Sequence, residues 1–225
     1  MSVLTSYNPT DYWIRRGRTY KDSFKYNENY RLQEELLLRY LKNILPIFKS
    51  VLEVGCGFGR FTKLILLNHP HIKKYVAVDL SPQQICNAEK YVRTGINNEI
   101  NDIEISFIVS DIQSLILNEK YDLVLAAEVL LHILPSEIKK VMTQLVNLSK
   151  MHIINIDYYQ EQIIPLASHN FLYQYEKIYK EIPSIAEVRR LPIKKSGLFS
   201  VDTKQCIFHA TKGKITAKSR LHKTY

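Results

Sequence analysis

The chain has 225 residues, 46% of them hydrophobic and 24% charged, with a formal net charge of +9. That length supports one sizeable core, and the composition is that of a soluble globular protein rather than a disordered or fibrous one. The start, Met1 to Thr10, has no apolar core of a signal peptide, no apolar run approaches a membrane span, and three scattered cysteines suit a reducing cytoplasm.

Residues 1–30 are aromatic and basic, with Tyr12, Trp13 and Tyr20 beside Arg15, Arg16 and Arg18. They read as an irregular arm that packs its rings on the domain edge. Residues 31–44 place Leu32, Leu36, Leu37, Tyr40 and Leu41 on one helical face, and Pro46 stops that helix. Val51 to Val54 is a strand-forming run that breaks into Gly55, Gly57 and Gly59. Phe61 to Leu67 then returns to helical spacing. Strand, glycine loop, helix is a unit that brings backbone amides and a helix N-terminus up to a ligand. Cys56 reads as a small apolar liner of that loop.

Tyr75 to Asp79 is a second strand ending in a carboxylate, about twenty residues past the last glycine, where an acid meets a ribose diol. Ser81 is the expected N-cap and Pro82 the first turn of a helix running to about Val92. Ile103 to Val109 alternates as a third strand, closed by Ser110, Asp111 and Ile112. Tyr121 to Ala126 is a fourth, a near-continuous apolar run as a doubly covered parallel strand should be. Ala127, Glu128 and a segment containing His132 follow. Ser136 to Leu148 is amphipathic, Met151 to Asp157 a fifth strand, Phe171 to Tyr179 a helix capped by Ser168 or Asn170, and Val188 to Ile193 and Gln205 to Thr211 two final strands. One domain over 1–211 and a basic, flexible tail over 212–225 result. Lys212, Lys214, Lys218, Arg220 and Lys223 in that tail supply five of the nine net charges. A nucleic-acid partner is therefore possible on charge but not favoured.

Glu53 with Gly55, Gly57 and Gly59 resembles motif I of the class I S-adenosylmethionine-dependent methyltransferases, in which an acid precedes a Gly-x-Gly-x-Gly loop. Asp79, Asp111 and the segment around Glu128 extend the resemblance over roughly residues 30 to 160. It implies a doubly wound, Rossmann-like α/β fold: a seven-stranded, mostly parallel sheet with an antiparallel last strand and helices on both faces. It implies S-adenosyl-L-methionine as cofactor, S-adenosyl-L-homocysteine as product, and a site drawn from Glu53, Gly55, Cys56, Gly57, Gly59, Asp79, Leu80, Ser110, Asp111, Ile112, Ala127 and Glu128. Asp111 would take the adenine amine and Ile112 the purine face; a plain loop acid is the other reading of Asp111. The aromatic arm gains a second reading as a lid, residues 10 to 25 folding over the cofactor with Trp13 and Tyr20 as walls and Arg16 on the methionine carboxylate.

Methyl transfer is an in-line displacement in which the protein aligns the acceptor and supplies a base where the acceptor carries a proton. His132 is the first candidate base, and a packing role is its alternative. His169, Tyr158 and Tyr159 are weaker candidates. His69 and His71 lack a third ligand, so no metal is expected. The loop after the fourth strand lacks Asn/Asp-Pro-Pro-Tyr, which disfavours adenine or glutamine amides and leaves a small-molecule or sugar-like acceptor. Alternatives are an RNA or protein methyltransferase and a cofactor-binding partner subunit without turnover. A nicotinamide-dependent oxidoreductase is opposed by the glycine spacing. Acceptor and oligomeric state are not written in the sequence.

Overall fold

Strand β1 (Ser50–Val54) is buried at all five positions. It pairs in parallel with β2 (Lys74–Asp79) on one side and β4 (Tyr121–Ala127) on the other. β3 (Glu104–Val109) extends the sheet beyond β2, and β5 (Ser149–Tyr158) beyond β4, again in parallel. The last two strands, β6 (Ile185–Lys195) and β7 (Val201–Lys212), form a hairpin. β7 runs antiparallel to both β5 and β6 and lies between them. The order is β3-β2-β1-β4-β5-β7-β6. The computed structural model describes residues 7–44, 48–94, 102–159, 167, 169–197 and 200–213.

Period-two alternation sorts the strands' apolar residues onto two faces. Val51, Tyr75, Leu123 and Ile154 meet Leu37 and Leu41 of α3 (Glu28–Ile44), Phe61 and Ile65 of α4 (Arg60–Asn68), and Ile85 and Val92 of α5 (Pro82–Arg93). Leu52, Val76, Val124 and Ile153 meet Val141, Met142 and Leu145 of α6 (Ile138–Leu148), with Tyr175 and Tyr179 of α7 (Tyr175–Lys180). A helix layer on each side is what parallel strands of near-continuous apolar sequence require. The strand order reverses between β1 and β4, so their carboxyl ends open a crevice.

Several boundaries differ from expectation. The arm is helical: α1 (Pro9–Gly17) starts at the N-cap Asn8, whose side chain accepts the Asp11 amide, and α2 (Tyr20–Ser23) follows. Phe171 to Gln174 lies outside any helix, because Phe171 and Tyr173 are held by the chain after β4. The Phe171 amide donates to the Leu131 carbonyl at 2.7 Å and the Tyr173 hydroxyl to the Ile133 carbonyl. Gln174, not Asn170, stands at the N-cap of α7, and the expected alternative Ser168 lies outside the described residues. The Lys212 ammonium donates to the carbonyls of Val146 and Ser149 at 3.0 and 2.8 Å, so this residue belongs to the sheet. Residues 214–225 of the expected tail lie outside the described residues, as do Pro46 and Gly95.

Candidate functional site

The glycine turn after β1 is built by positive φ angles of 70° at Gly55 and 55° at Gly57. The amides of Gly55 and Cys56 both donate to the Val78 carbonyl, at 2.7 and 3.0 Å, which locks the turn to the end of β2. A Cβ on Gly55 would stand 2.2 Å from Val129, whereas one on Gly57 would meet nothing within 4 Å. The first glycine therefore serves packing, and the second leaves main chain open to a ligand. Gly59 is the left-handed N-cap of α4 and faces Ala88 and Val92 of α5.

A cavity of about 360 Å³ opens at this turn. Of the sequence-predicted residues, Glu53, Gly55, Cys56 and Gly57 line it from β1, and Asp79 and Leu80 from β2. Ser110, Asp111 and Ile112 line it beyond β3, Ala127, Glu128 and His132 beyond β4, and Trp13 from α1. Gly59 and Arg16 are not among its walls. Arg16 instead donates to Thr19 Oγ at 3.3 Å and Ser23 Oγ at 2.8 Å, and lies over the Tyr20 ring.

Each acid is already partly engaged. Asp79 accepts the Gly57 amide at 2.9 Å on one oxygen and the Ser81 amide at 2.8 Å on the other. Burial pushes its carboxyl up, against the pull of those two amides. Each oxygen keeps lone-pair capacity for a diol. Glu53 is buried, and its Oε2 accepts from Thr62 and Tyr75, so it braces α4 and β2 against β1. Burial lifts its carboxyl to about 7. Asp111 accepts the Gln113 amide at 2.9 Å on Oδ1 and meets the Thr10 hydroxyl at 3.5 Å on Oδ2. It is a loop acid and a cavity wall at once. Burial pushes the Cys56 thiol up, as suits a liner.

The loop after β4 is set by β5. Asp157 is fully buried and accepts the Leu131 amide at 3.3 Å and the Asn155 side-chain amide at 2.7 Å. His132 sits 4.4 Å from the Trp13 ring, centroid to centroid. Its Nδ1 is 3.3 Å from the His169 carbonyl oxygen. A carbonyl only accepts, so Nδ1 carries the proton and Nε2 keeps its lone pair. Desolvation holds the imidazole at about 4, neutral at physiological pH. Tyr158 also lines the cavity. His169 is not a wall and packs 4.5 Å from the Tyr12 ring, while Tyr159 lies beneath the Arg190 guanidinium. His69 and His71 pack on Phe48, and no group of three or more metal-ligating side chains exists among the described residues.

Sequence reasoning set residues 10 to 25 over the site and named Trp13 and Tyr20 as walls; Tyr20 also lines the cavity, and several further lining residues were not named. Thr10 and Gly17 of α1, Phe24 after α2, Phe58 and Arg60 beside the glycine turn, Gln84 of α5 and Asn170 all face the cavity. Only the Asn8-Pro9 start of α1 carried a local signal, a cap followed by proline at the first helical position. Gln84 Oε1 is buried without a hydrogen-bond partner among the described residues. The cavity it lines thus suits a ligand that brings a hydrogen-bond donor.

Residues 51–152 match the family model described as methyltransferase domain. That match takes in somewhat under half of the chain. Over 77 residues it is 37% identical to a malonyl-[acyl-carrier protein] O-methyltransferase of Acetivibrio thermocellus, an overlap of 34% of this chain and 24% of the relative. Over 84 residues it is 36% identical to nodulation protein S of Bradyrhizobium diazoefficiens, covering 37% of this chain and 35% of that one. The chain thus spans only about a quarter to a third of the length of these curated relatives.

Likeness in fold to solved structures is broader. Magnesium protoporphyrin IX methyltransferase from Synechocystis, solved with bound S-adenosylmethionine, superposes with a TM-score of 0.66 at 16% identity, over 94% of this chain and 100% of that one. N-methyltransferase NodS from Bradyrhizobium japonicum, in complex with S-adenosyl-L-homocysteine, also gives 0.66, at 19% identity, over 92% and 100%. No helix among the described residues is long and apolar enough to cross a membrane.

Proposed function

We propose that the chain is an S-adenosyl-L-methionine-dependent methyltransferase acting on a small molecule. The observation that carries this reading is convergence: the glycine turn after β1, Asp79 at the end of β2 and Asp111 past β3 open into one cavity roofed by α1. The spacing suits the cofactor's parts. Gly57 offers open main chain for the amino-acid end, Asp79 lone pairs for the ribose hydroxyls, and Asp111 with Ile112 an edge and a face for adenine. Bound there, the cofactor would supply a methyl group activated by a positive sulfur.

The chain's own part is alignment and exclusion of water. Trp13 and Gly17 cover the cavity, and Leu131 and Ile133 give it apolar walls. His132, neutral with Nε2 unprotonated, can take a proton from an acceptor of matching geometry. A roofed cavity of this size favours a small acceptor over a nucleic-acid strand. Cys56 and Cys206 are buried free thiols, in keeping with a reducing cytoplasm.

Calorimetric titration with S-adenosyl-L-homocysteine, S-adenosyl-L-methionine and NAD tests the cofactor. The first two should bind in preference, and Trp13, the sole tryptophan, should report the event in its emission. Tighter binding of NAD would overturn the assignment. Binding of both adenosyl ligands with no transfer to any acceptor would leave a cofactor-binding partner subunit.

A further inference from the structure

One end of the cavity is not accounted for by the glycine turn, Asp79 or Asp111. Past Ala127 the chain turns through Glu128, whose φ of 59° lies in the left-handed region. A residue with a Cβ persists there only where its surroundings hold it. Here a closed ring of side chains does so. Arg60 donates to Gln33 Oε1 at 2.9 Å, Gln33 donates to Gln205 Oε1, and Gln205 donates to Glu128 Oε1 at 2.7 Å. Arg60 closes the ring at 3.6 Å from Glu128 Oε2. Gln33 and Gln205 are buried.

With Glu34 beside the ring, the charges there do not balance. Arg60 is already paired with Glu34 at 3.0 Å, so two carboxylates share one guanidinium and one negative charge is left over. Around it stand aromatic rings. Tyr20, Phe24, Phe58 and Tyr158 line the same cavity. Phe24 lies 5.0 Å from Phe58, 6.1 Å from Tyr20 and 4.6 Å from Tyr30 between ring centroids. Burial and the Glu128 charge raise Tyr20, Tyr30 and Tyr158, which therefore stay neutral phenols.

A surplus carboxylate among aromatic faces matches a cation. The carboxylate is its counter-ion and hydrogen-bond acceptor, and the rings attract it through their negative faces. A neutral hydroxyl gains neither term in full, and an anionic acceptor is repelled. We infer that the lobe around Glu128 receives the acceptor, that this acceptor is a primary amine, and that Glu128 serves it rather than the cofactor. This rests on the methyltransferase reading. In balance, one N–H proton passes to water, one N–C bond forms at the exposed lone pair, one C–S bond breaks, and the positive charge moves from sulfur to nitrogen.

The test uses the full chain saturated with S-adenosyl-L-homocysteine. Tyramine and benzylamine are titrated against their alcohol counterparts, tyrosol and benzyl alcohol, into wild type, Glu128→Gln and Tyr158→Leu. Wild type should bind the amines at least tenfold more tightly than the alcohols. Glu128→Gln should lose most of that preference while its affinity for S-adenosyl-L-homocysteine stays within twofold. Equal binding of amine and alcohol, or binding of neither, overturns the inference. So does a tenfold loss of S-adenosyl-L-homocysteine affinity in Glu128→Gln, which would give the carboxylate to the cofactor's own ammonium. Should Glu128→Gln fail to fold, Tyr158→Leu carries the comparison, because it removes an aromatic face: a reduced amine preference supports the lobe, and an unchanged one overturns it. A wild-type protein that does not bind S-adenosyl-L-homocysteine overturns the methyltransferase reading and this inference together. Failure of the amines in a protein that does bind it overturns this inference alone.

Discussion

Gly17 lies so close to Ser81 that a Cβ added to it would stand 2.2 Å from the serine oxygen. Ser81 is the N-cap of α5, accepting the Gln84 amide, so the arm is seated on the start of the helix that follows Asp79. Gly17→Ala should overpack this seat at a cost of about 1–3 kcal/mol. The expected outcome is a lower thermal midpoint, red-shifted Trp13 emission and weaker binding of S-adenosyl-L-homocysteine. An unchanged midpoint and emission would show that α1 is not held at this point.

Asp79 has two duties, and two substitutions separate them. Asp79→Asn keeps one acceptor oxygen for the turn but loses the charge. It should weaken S-adenosyl-L-homocysteine by about 1.5–3 kcal/mol, the scale of a charge-assisted site, with a small change in midpoint. Asp79→Ala also strips the Gly57 and Ser81 amides of their acceptors. It should lose the same affinity and a further about 1–3 kcal/mol of stability. Calorimetry paired with thermal melting reads both; full affinity in folded Asp79→Asn would remove Asp79 from the site.

Glu53 and the buried histidines pull stability in opposite directions with pH. Burial raises Glu53 from 4.5 to about 7, so the folded state holds a proton that the unfolded chain has released. Its contribution therefore falls as pH rises from 4.5 to 7, by about 3 kcal/mol at 1.36 kcal/mol per unit. His132 and His209 are lowered from 6.5 to about 4, so the unfolded chain binds their protons first. Their contribution is full above pH 6.5 and is lost as pH falls to 4. Glu53→Gln should thus gain stability relative to wild type as pH rises from 4.5 to 7. A pH-independent difference in denaturant midpoints would show that Glu53 does not titrate in this range.

Lys212 closes the end of α6 by donating to two carbonyls, Val146 and Ser149. Lys212→Met keeps the aliphatic stem and removes the donors. It should cost about 1–3 kcal/mol, since two acceptors lose a charged partner, with S-adenosyl-L-homocysteine affinity unchanged. Truncation before this residue should do the same, and an unaltered melt would mean that water replaces the ammonium.

The parallel half of the fold was legible because each strand is short, apolar and bounded by a turn signal. Ser81-Pro82 located the start of α5, and the run after Lys120 located β4. Of what failed, one part did so for a tertiary reason and one for a local reason. Phe171 and Tyr173 look helical beside Tyr175 and Tyr179, yet the carbonyls of Leu131 and Ile133 hold them in an extended path. Arg16 has the chemistry of a carboxylate anchor but finds Thr19 and Ser23 within reach first. In the site, the glycine turn and the acids after β2 and β3 follow from local order and spacing. Gln33 and Gln205 meet across 172 positions, and nothing local in either neighbourhood points to the other.

The place of β7 has a consequence for biosynthesis. It is the last strand described, yet it lies inside the sheet between β5 and β6, and it brings Gln205 to Glu128. A chain emerging from the ribosome in sequence order can lay down β1 to β5 and the glycine turn early. β6 then emerges with no neighbour to pair with until β7 follows. The Glu128 turn waits for the same event, so a nascent chain can hold the cofactor end of the cavity before the other end exists. A stalled or prematurely terminated product would present an unpaired β5 edge, which is a template for association with other chains.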